Sequence, residues 1–186
     1  MDGILIMDFK LKLSPLWFFR GARDAMLVAF STSSSLAALP VSMSVAEEKL
    51  GIKPVVASTV LPLGATINMD GTALYVGIVS VFAAQAFDIP LSLTDYLLIA
   101  GSTTLVSVGT AAVPGASIFL MSAVMDTIGM APEQIGLVIG FIFAIDRPLD
   151  MLRTSVNVAG DLSVSTAVAN WEGEFDREIF DRKLKV

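Results

Sequence analysis

The chain has 186 residues, of which 54% are hydrophobic and 16% are charged, and its mean hydropathy is +0.75. A soluble domain carries roughly 25% charged residues, so this composition indicates an integral membrane protein. The absence of Cys and His excludes thiol catalysis, structural zinc sites and a Ser-His-Asp triad, and we expect no enzyme. The net charge of −6 comes without a basic stripe, so we expect no nucleic-acid partner.

Four long apolar blocks follow one another along the chain, at about residues 25–46, 55–87, 96–125 and 135–170. Each block is interrupted near its middle by Gly, Pro, Ser or Asn. Because roughly 20 apolar residues suffice to cross a bilayer, four kinked membrane spans are one interpretation.

Basic residues bracket the first block: Arg20 and Arg23 precede it, and Lys49 and Lys53 follow it. Basic residues beside membrane segments favour the cytoplasmic side, so both ends of this block are expected on the same side. Its halves, of roughly a dozen residues each, are too short to cross singly. We therefore predict that residues 14–50 form a re-entrant hairpin with its serine-rich segment at the tip.

The third block has no Lys or Arg at either end, which predicts a second re-entrant hairpin, residues 89–130, entering from the other side. Its tip is the sequence "GTAAVPGAS". The second block, residues 51–88, then crosses outward as a helix unwound at "NMDG". The fourth block, residues 131–170, returns as a transmembrane helix, which leaves residues 171–186 as a cytoplasmic tail.

The order hairpin, span, hairpin, span amounts to two units that enter from opposite sides of the membrane. We therefore predict an all-α membrane protein with two inverted repeats, each made of a re-entrant helical hairpin and a broken transmembrane helix. Inverted repeats with broken helices are typical of secondary transporters.

Polar residues of the fourth block align on one face when placed at 100° per residue, within a sector about 80° wide. The five residues are Asp146, Asp150, Arg153, Asn157 and Asp161. A structural ladder of ion pairs would explain Asp150 with Arg153, which lie three residues apart. It would not explain three acids against one base, so the stripe predicts a bound cation, whether a metal ion, a proton or a substrate ammonium.

Asp70 is the one charged residue of the second block, and a charge at the bilayer centre costs roughly 2.5–3.5 kcal/mol on insertion scales. Nearby Gly64 and Gly71 are poor helix residues, so the helix can open around Asn68 and free backbone carbonyls. Such an all-oxygen environment suits a hard cation such as Na⁺. A lone polar residue at a kink is the alternative.

Four motifs carry a family resemblance: "STSSSLAALPVSM", "LPLGATINMDGTALY", "GTAAVPGAS" and "DRPLDMLRTSVNVAGD". In this order, over residues 15–170, they resemble the dicarboxylate/amino acid:cation symporter family, the glutamate–aspartate transporters. The resemblance implies symport of an acidic amino acid or related dicarboxylate with Na⁺ or H⁺ and no other cofactor. It also implies a multi-pass protein of the cell (inner) membrane, surrounded by lipid, that forms a homotrimer.

The resemblance also implies roles for individual residues. Arg153 would receive the side-chain carboxylate of the substrate, Asp150 would accept its ammonium group, and the second hairpin would act as the gate. The implied substrate site consists of Ser33, Ser34, Ser35, Thr72, Val113, Ser117, Asp150, Arg153, Thr154 and Asn157. The implied sodium sites consist of Gly64, Asn68, Asn157 and Asp161; of the backbone of Thr66, Ser107, Val108 and Thr110; and of Asn68 with Asp70.

Two departures from the family pattern lead to further expectations. Leu36 and Ala38 occupy tip positions that are usually small or hydroxylated. Family members carry further membrane helices before this region, so we expect residues 1–13 to be a non-family segment and the chain to be a truncated transporter. The alternative is a non-transporting fragment that associates with a full-length relative. An intramembrane aspartyl protease is a weaker alternative, because Arg153 would hold the nearby acids ionised.

Overall fold

The computed structural model describes residues 13–182, which form eight α-helices and no strand beyond one isolated bridge. The helices are α1 (Pro15–Thr32), α2 (Ser35–Glu48), α3 (Pro54–Ile67), α4 (Asp70–Ala86), α5 (Leu93–Gly109), α6 (Ala116–Thr127), α7 (Pro132–Trp171) and α8 (Arg177–Arg182). The all-α prediction is confirmed for this part of the chain. Most of the expected non-family segment, and the end of the expected tail, lie outside the described residues.

Helix boundaries follow local sequence signals. A proline opens α1, α3 and α7, where its fixed φ suits the first turn and its missing N–H costs nothing. The Ser34 hydroxyl caps α2 by accepting from the Ala37 N–H at 3.2 Å. Ser92 and Asp95 form a capping box at the start of α5.

Two helical hairpins are joined through a helix that is broken in the middle. Helices α1 and α2 pack together around the turn at Ser33 and Ser34, and we call this pair hairpin 1. Helices α5 and α6 pack together around residues 110–115, and we call this pair hairpin 2. Between them α3 ends at Ile67 and α4 begins at Asp70, so Asn68 and Met69 lie in the break, at the "NMDG" sequence.

Two helices differ from the sequence-based expectation. Helix α1 has 18 residues rather than a dozen, because it starts at Pro15, well before the apolar stretch. Its length alone therefore does not make it too short to cross a bilayer. Helix α7 is one continuous helix of 40 residues, so the prediction of a broken helix in the second unit is wrong. Pro148 removes one hydrogen bond inside α7, but packing of its other turns against α1, α2, α3, α4 and α6 keeps the helix intact.

Helix α7 is shared by two hydrophobic clusters. The first cluster joins hairpin 1, α3 and the second half of α7, and includes Phe18, Leu50, Leu61, Leu162 and Phe180. The second joins α4, hairpin 2 and the first half of α7, and includes Val76, Met121, Met125 and Ile142. Each hairpin therefore packs mainly on its own half of α7, and the polar stripe lies where the two halves meet.

Large apolar side chains also cover much of the outer surface. Leu93, Leu105, Phe119 and Phe143 are each more than 70% exposed. Extended exposed apolar surface of this kind marks a membrane or partner contact in proteins generally. Within residues 13–182 one apolar helical stretch, Pro54–Ala86, is long enough to cross a membrane by length and composition, with a mean hydropathy of 1.4.

Close packing of α4 on α7 generates a stability prediction. A Cβ atom at Gly71 would strike the backbone carbonyl of Arg153, whereas a Cβ at the exposed Gly140 would meet nothing within 4 Å. We expect Gly71→Ala to destabilise the protein by about 1–3 kcal/mol, since the two helices must move apart. Gly140→Ala should be neutral or stabilise by up to about 1 kcal/mol, through its better helix propensity. Thermal unfolding in detergent measures both, and equal midpoints would show that the close approach has no energetic weight.

Candidate functional site

The five polar residues of the α7 stripe are all buried: Asp146, Asp150, Arg153, Asn157 and Asp161. Apolar residues on the other face of the same turns, Ile145, Leu152 and Val156, are exposed. The prediction that these five polar residues share one face of the helix is confirmed. Buried charges need partners, and the following contacts supply them.

Arg153 and Asp150 form an ion pair in the interior, through the Arg153 Nη2 atom and the Asp150 Oδ1 atom. The Nη1 atom of Arg153 donates to the Thr72 hydroxyl at 3.2 Å, and the guanidinium carbon lies 5.9 Å from the centre of the Tyr75 ring. The Arg153 Nε atom is buried and has no hydrogen-bond partner among the described residues. The guanidinium is therefore contacted by Asp150, Thr72 and Tyr75, while its buried Nε–H has no acceptor.

Asn157 joins α7 to the start of α4. Its Oδ1 atom accepts from the Gly71 N–H at 2.8 Å and from the Thr72 N–H at 3.3 Å, and its Nδ2 atom donates to the Thr72 hydroxyl at 3.3 Å. The first N–H groups of a helix have no partner within the helix. The Asn157 side chain therefore acts as the cap of α4.

The tips of the two hairpins meet beside the ion pair. The Ser34 hydroxyl in hairpin 1 donates to the Ala112 carbonyl in hairpin 2 at 2.8 Å. The Gly115 N–H, at the start of α6, donates to the Asp150 Oδ2 atom at 3.0 Å. One carboxylate of α7 thus binds both Arg153 and the tip of hairpin 2.

A small cavity lies between the tips and α7. Its lining residues are Ser33, Ser35, Met69, Ala111, Ala112, Val113, Arg153, Thr154 and Asn157. The cavity volume is about 10 Å³, room for about one water molecule. An amino acid is several times larger, so it could enter only if the tips separated.

Most of the residues assigned to a substrate site from the sequence come together here. Six of them line the cavity: Ser33, Ser35, Val113, Arg153, Thr154 and Asn157. Thr72 and Asp150 contact Arg153 directly, and Ser34 forms the contact between the tips. Ser117 does not line the cavity; it is buried in the first turn of α6, and its hydroxyl has no partner among the described residues.

A second polar group lies at the break between α3 and α4. The Asn68 Nδ2 atom donates to Asp161 Oδ1 at 3.0 Å. A Cβ atom at Gly64 would lie 2.7 Å from Asp161 Oδ1, and a Cβ at Gly160 would lie 2.7 Å from Asp70 Oδ2. Both glycines therefore allow a carboxylate to approach the backbone of the neighbouring helix closely.

This second group offers oxygen atoms suited to a hard cation: the carboxylates of Asp70 and Asp161 and the amide oxygen of Asn68. Residues 13–182 contain no cluster of three or more His, Cys, Asp or Glu side chains that could hold a metal ion. A monovalent cation needs less compensating charge than a divalent one, so the donor set fits Na⁺ better than a divalent metal.

The remaining residues assigned to a sodium site lie on α3 and at the tip end of α5, two helices that contact each other. Ser107 and Thr110 are buried, whereas Thr66 and Val108 are exposed. The hydroxyls of Thr66, Ser107 and Thr110 each donate to a carbonyl of the same helical turn. No hydrogen bond among the described residues joins Thr66 to the α5 residues.

Some site contacts have weaker sequence signals. The Tyr75 hydroxyl donates to Asp146 Oδ1 at 2.8 Å, and both residues are buried. Tyr75 follows Thr72 by three residues, and this spacing places both on one face of α4. The same spacing rule that aligned the α7 stripe could therefore have identified Tyr75. No sequence pattern indicates the contact between Gly115 and Asp150, because it depends on how hairpin 2 docks.

Comparison with known proteins identifies the family. The statistical model of the sodium:dicarboxylate symporter family matches residues 3–171. This chain belongs to the sodium:dicarboxylate symporter family. It is a family of membrane transporters rather than enzymes, and its description names sodium as the coupling ion. The match includes most of residues 1–13, which were expected from the sequence to lie outside the family.

Several relatives are named excitatory amino acid transporters. This family member is 37% identical to one from Caenorhabditis elegans, over 96% of the chain and 34% of the relative. It is 42% identical to human excitatory amino acid transporter 2, over 84% of the chain and 27% of the relative. It is 37% identical to human excitatory amino acid transporter 5, over 97% of the chain and 32% of the relative. The chain thus spans about a third of the length of these relatives.

The polar group at the break generates a prediction about cation binding. We expect Asp161→Asn to weaken Na⁺ binding about tenfold or more, because it removes a negative charge from an oxygen donor set. The control is Asp126→Asn, an exposed acid on α6 far along the chain from the break. Sodium titration of tryptophan fluorescence in lipid nanodiscs measures both. An unchanged Na⁺ midpoint in Asp161→Asn would show that this carboxylate binds no cation.

Proposed function

We propose that this chain is the substrate- and cation-binding core of a secondary active transporter, which couples symport of glutamate, aspartate or a related dicarboxylate to a cation. The observation that carries the proposal is the buried ion pair of Asp150 and Arg153 beside the cavity between the hairpin tips. A guanidinium offers a planar fork for a carboxylate, and a carboxylate one turn away can accept an ammonium. The pair therefore selects a molecule that carries both groups.

Substrate entry would exchange one buried ion pair for two. Asp150 would release Arg153 and accept the substrate ammonium, while Arg153 would turn its donors to the side-chain carboxylate. The Nε atom of Arg153 has no partner and could donate a hydrogen bond to the substrate carboxylate. The Thr72 hydroxyl already accepts from Nη1 and could hold the guanidinium during the exchange. No charge would then be left alone in the interior, which is the arrangement that buried charges require.

The α-carboxylate of the substrate would bind at the hairpin tips. The cavity lining from hairpin 1 includes Ser33 and Ser35, and the lining from hairpin 2 includes Val113. The Ser33 hydroxyl is buried without a partner in the described structure, which leaves a donor for an incoming anion. Thr154 and Asn157 complete this wall from α7.

The coupling cation, Na⁺ by the description of the family, would bind at the break near Asn68, Asp70 and Asp161. Asn157 connects this group to the substrate cavity, because it caps α4 directly after the break and also lines the cavity. Cation binding would fix the break, and with it the positions of Thr72 and Asn157. A substrate would then find its partners in place, which favours joint over separate binding.

We also propose that the two hairpins are re-entrant and enter from opposite sides of the membrane, as two inverted repeats, with hairpin 2 as the gate. The tips meet at Ser34 and Ala112, which supports this arrangement. By family resemblance we further propose a homotrimer in the cell (inner) membrane with a cytoplasmic C-terminus. The proposed segments are hairpins at residues 14–50 and 89–130, spans at 51–88 and 131–170, and a tail at 171–186.

Cysteine labelling tests this topology, and the chain has no cysteine of its own. We expect Leu16→Cys and Glu48→Cys, both exposed at the base of hairpin 1, to react with an impermeant maleimide from the same side. Leu93→Cys and Asp126→Cys, exposed at the base of hairpin 2, should react from the opposite side. Labelling of Leu16→Cys and Glu48→Cys from different sides would show that hairpin 1 crosses the membrane twice.

Replacement of Arg153 tests the substrate assignment. We expect Arg153→Thr to weaken aspartate binding roughly 10–100-fold, because a desolvated carboxylate loses its charged partner. Binding of serine, which has no side-chain carboxylate, should change by less than about threefold, since it never uses that partner. The matched control is Arg147→Thr, which removes an exposed arginine from the same helix. Competition binding in nanodiscs measures the aspartate and serine affinities of the wild type and of both variants.

Equal losses for aspartate and serine in Arg153→Thr would show that Arg153 is structural, and the dicarboxylate assignment would fall. Uptake of labelled aspartate into proteoliposomes with an inward Na⁺ gradient then separates the two functional alternatives. Uptake supports a transporter. Specific binding without uptake supports a non-transporting fragment that associates with a full-length relative.

A further inference from the structure

Asp146 is the member of the α7 stripe that the proposed transport site does not use. Its side chain is buried, and within residues 13–182 it forms no ion pair. The Tyr75 hydroxyl donates to its Oδ1 atom at 2.8 Å, which is the one hydrogen bond of this carboxylate among the described residues. A buried carboxylate with a single neutral partner lacks the compensation that buried charges require.

The arginines of α7 do not supply that compensation. Arg153 donates through Nη2 to Asp150 and through Nη1 to Thr72, and its Nε atom has no partner. Arg147 is exposed, and as the next residue along the helix it lies about 100° away from Asp146. The charge of Asp146 is therefore open to a cation that is not part of the described chain.

A cavity lies directly beside Asp146, between α6 and the first half of α7, and we call it the α6–α7 cavity. Its volume is about 390 Å³, within the roughly 300–1,000 Å³ typical of small-molecule sites. Asp146 is the one charged residue of its lining, and the walls include Ile118, Phe119, Ile139 and Phe143. The cavity thus combines a single carboxylate with apolar walls.

The α6–α7 cavity is separate from the cavity between the hairpin tips, because the two share no lining residue. Asp146 and Asp150 lie one turn apart on α7 but have different surroundings. Asp150 binds Arg153 and the Gly115 N–H, whereas Asp146 lines the α6–α7 cavity. A ligand of Asp146 would therefore not occupy the proposed substrate position.

The chemistry of this lining favours an organic ammonium ion over a hard metal cation. A hard cation such as Ca²⁺ takes about six to eight oxygen ligands, and one carboxylate among apolar walls does not provide them. An ammonium group on an apolar body would place its charge on Asp146 and its body against the walls. The rings of Phe119 and Phe143 are both largely exposed, and aromatic faces also attract cations.

We propose that the α6–α7 cavity binds small organic ammonium ions, with Asp146 as the counter-ion and Tyr75 as the residue that orients its carboxylate. The Tyr75 hydroxyl holds Oδ1, which leaves Oδ2 for the ammonium group. Free aromatic amines and the amine headgroups of lipids share this chemistry. The proposal does not rest on the proposed transport function, since it uses neither Arg153 nor the cavity between the tips.

Fluorine NMR titration with para-fluorophenethylammonium tests the site, in nanodiscs of phosphatidylglycerol, a lipid without an amino group. We expect saturable binding that Asp146→Asn weakens about tenfold or more, because the amide keeps the shape and the acceptor for Tyr75 but has no charge. The matched control is Asp126→Asn, an exposed acid of α6, which should change the affinity by less than about twofold. The neutral para-fluorophenethyl alcohol should bind wild type and Asp146→Asn equally weakly.

Three results would overturn the proposal: no saturable binding of the amine by the wild type, equal affinities in wild type and Asp146→Asn, or displacement of the amine by excess aspartate. Displacement would place the amine at Asp150 instead. If Asp146→Asn does not fold, Ser122→Trp replaces it, since Ser122 lines the cavity and a larger side chain there would fill it. The same outcomes then apply.

A repeat of the titration in nanodiscs that contain phosphatidylethanolamine distinguishes the two sources of the ligand. A weaker apparent affinity for the amine in those nanodiscs would show that the lipid headgroup competes for Asp146. An unchanged affinity would show that free amines are the ligands of the α6–α7 cavity.

Discussion

The capping of α4 by Asn157 is the contact on which the arrangement of the site depends. A helix broken inside a membrane leaves backbone groups without water, and such groups must be satisfied within the protein. The Oδ1 atom of Asn157 satisfies the N–H groups of Gly71 and Thr72, directly after the break. The break is therefore stable only while α7 lies beside it, and α7 can present Asn157 there only because Gly71 has no side chain.

Two other polar residues of the α7 stripe also bind irregular segments of the chain. Asp150 accepts from the Gly115 N–H at the tip of hairpin 2, and Asp161 accepts from Asn68 in the break. Asn157, Asp150 and Asp161, which are proposed to bind substrate or cation, thus also bind the break and the tip of hairpin 2. A ligand that takes one of these partners alters the local fold directly, which gives a physical route from binding to movement.

Part of the fold and of the candidate site could be predicted from periodicity and turn chemistry. The α7 stripe follows from the 100° spacing of Asp146, Asp150 and Arg153, and the break follows from poor helix residues around Asn68. The continuity of α7 through Pro148 could not be predicted in this way. Proline weakens a helix locally, whereas the packing that outweighs this effect comes from five other helices.

Contacts between distant segments were equally hidden from the sequence. The pairing of Gly51 with Asp176 is made between backbone atoms, which carry no residue-specific signal. The one sequence signal for this pairing is the glycine at position 51, which has a left-handed φ, and many loops contain glycine for that reason. The roles proposed for individual site residues rest on their chemistry and on family resemblance, because the fold shows which residues lie together and not what each of them binds.

The contact between the hairpin tips has a consequence for the balance between closed and open forms. It includes one neutral hydrogen bond, which the Ser34 hydroxyl donates to the Ala112 carbonyl. Such a bond contributes about 0.5–1.5 kcal/mol net, which corresponds to roughly a two- to tenfold change in an equilibrium constant. The bond from Gly115 to Asp150 adds more, but a substrate ammonium would compete for that same carboxylate. If hairpin 2 opens as proposed, both of these hydrogen bonds must break, and a substrate ammonium would replace one of them.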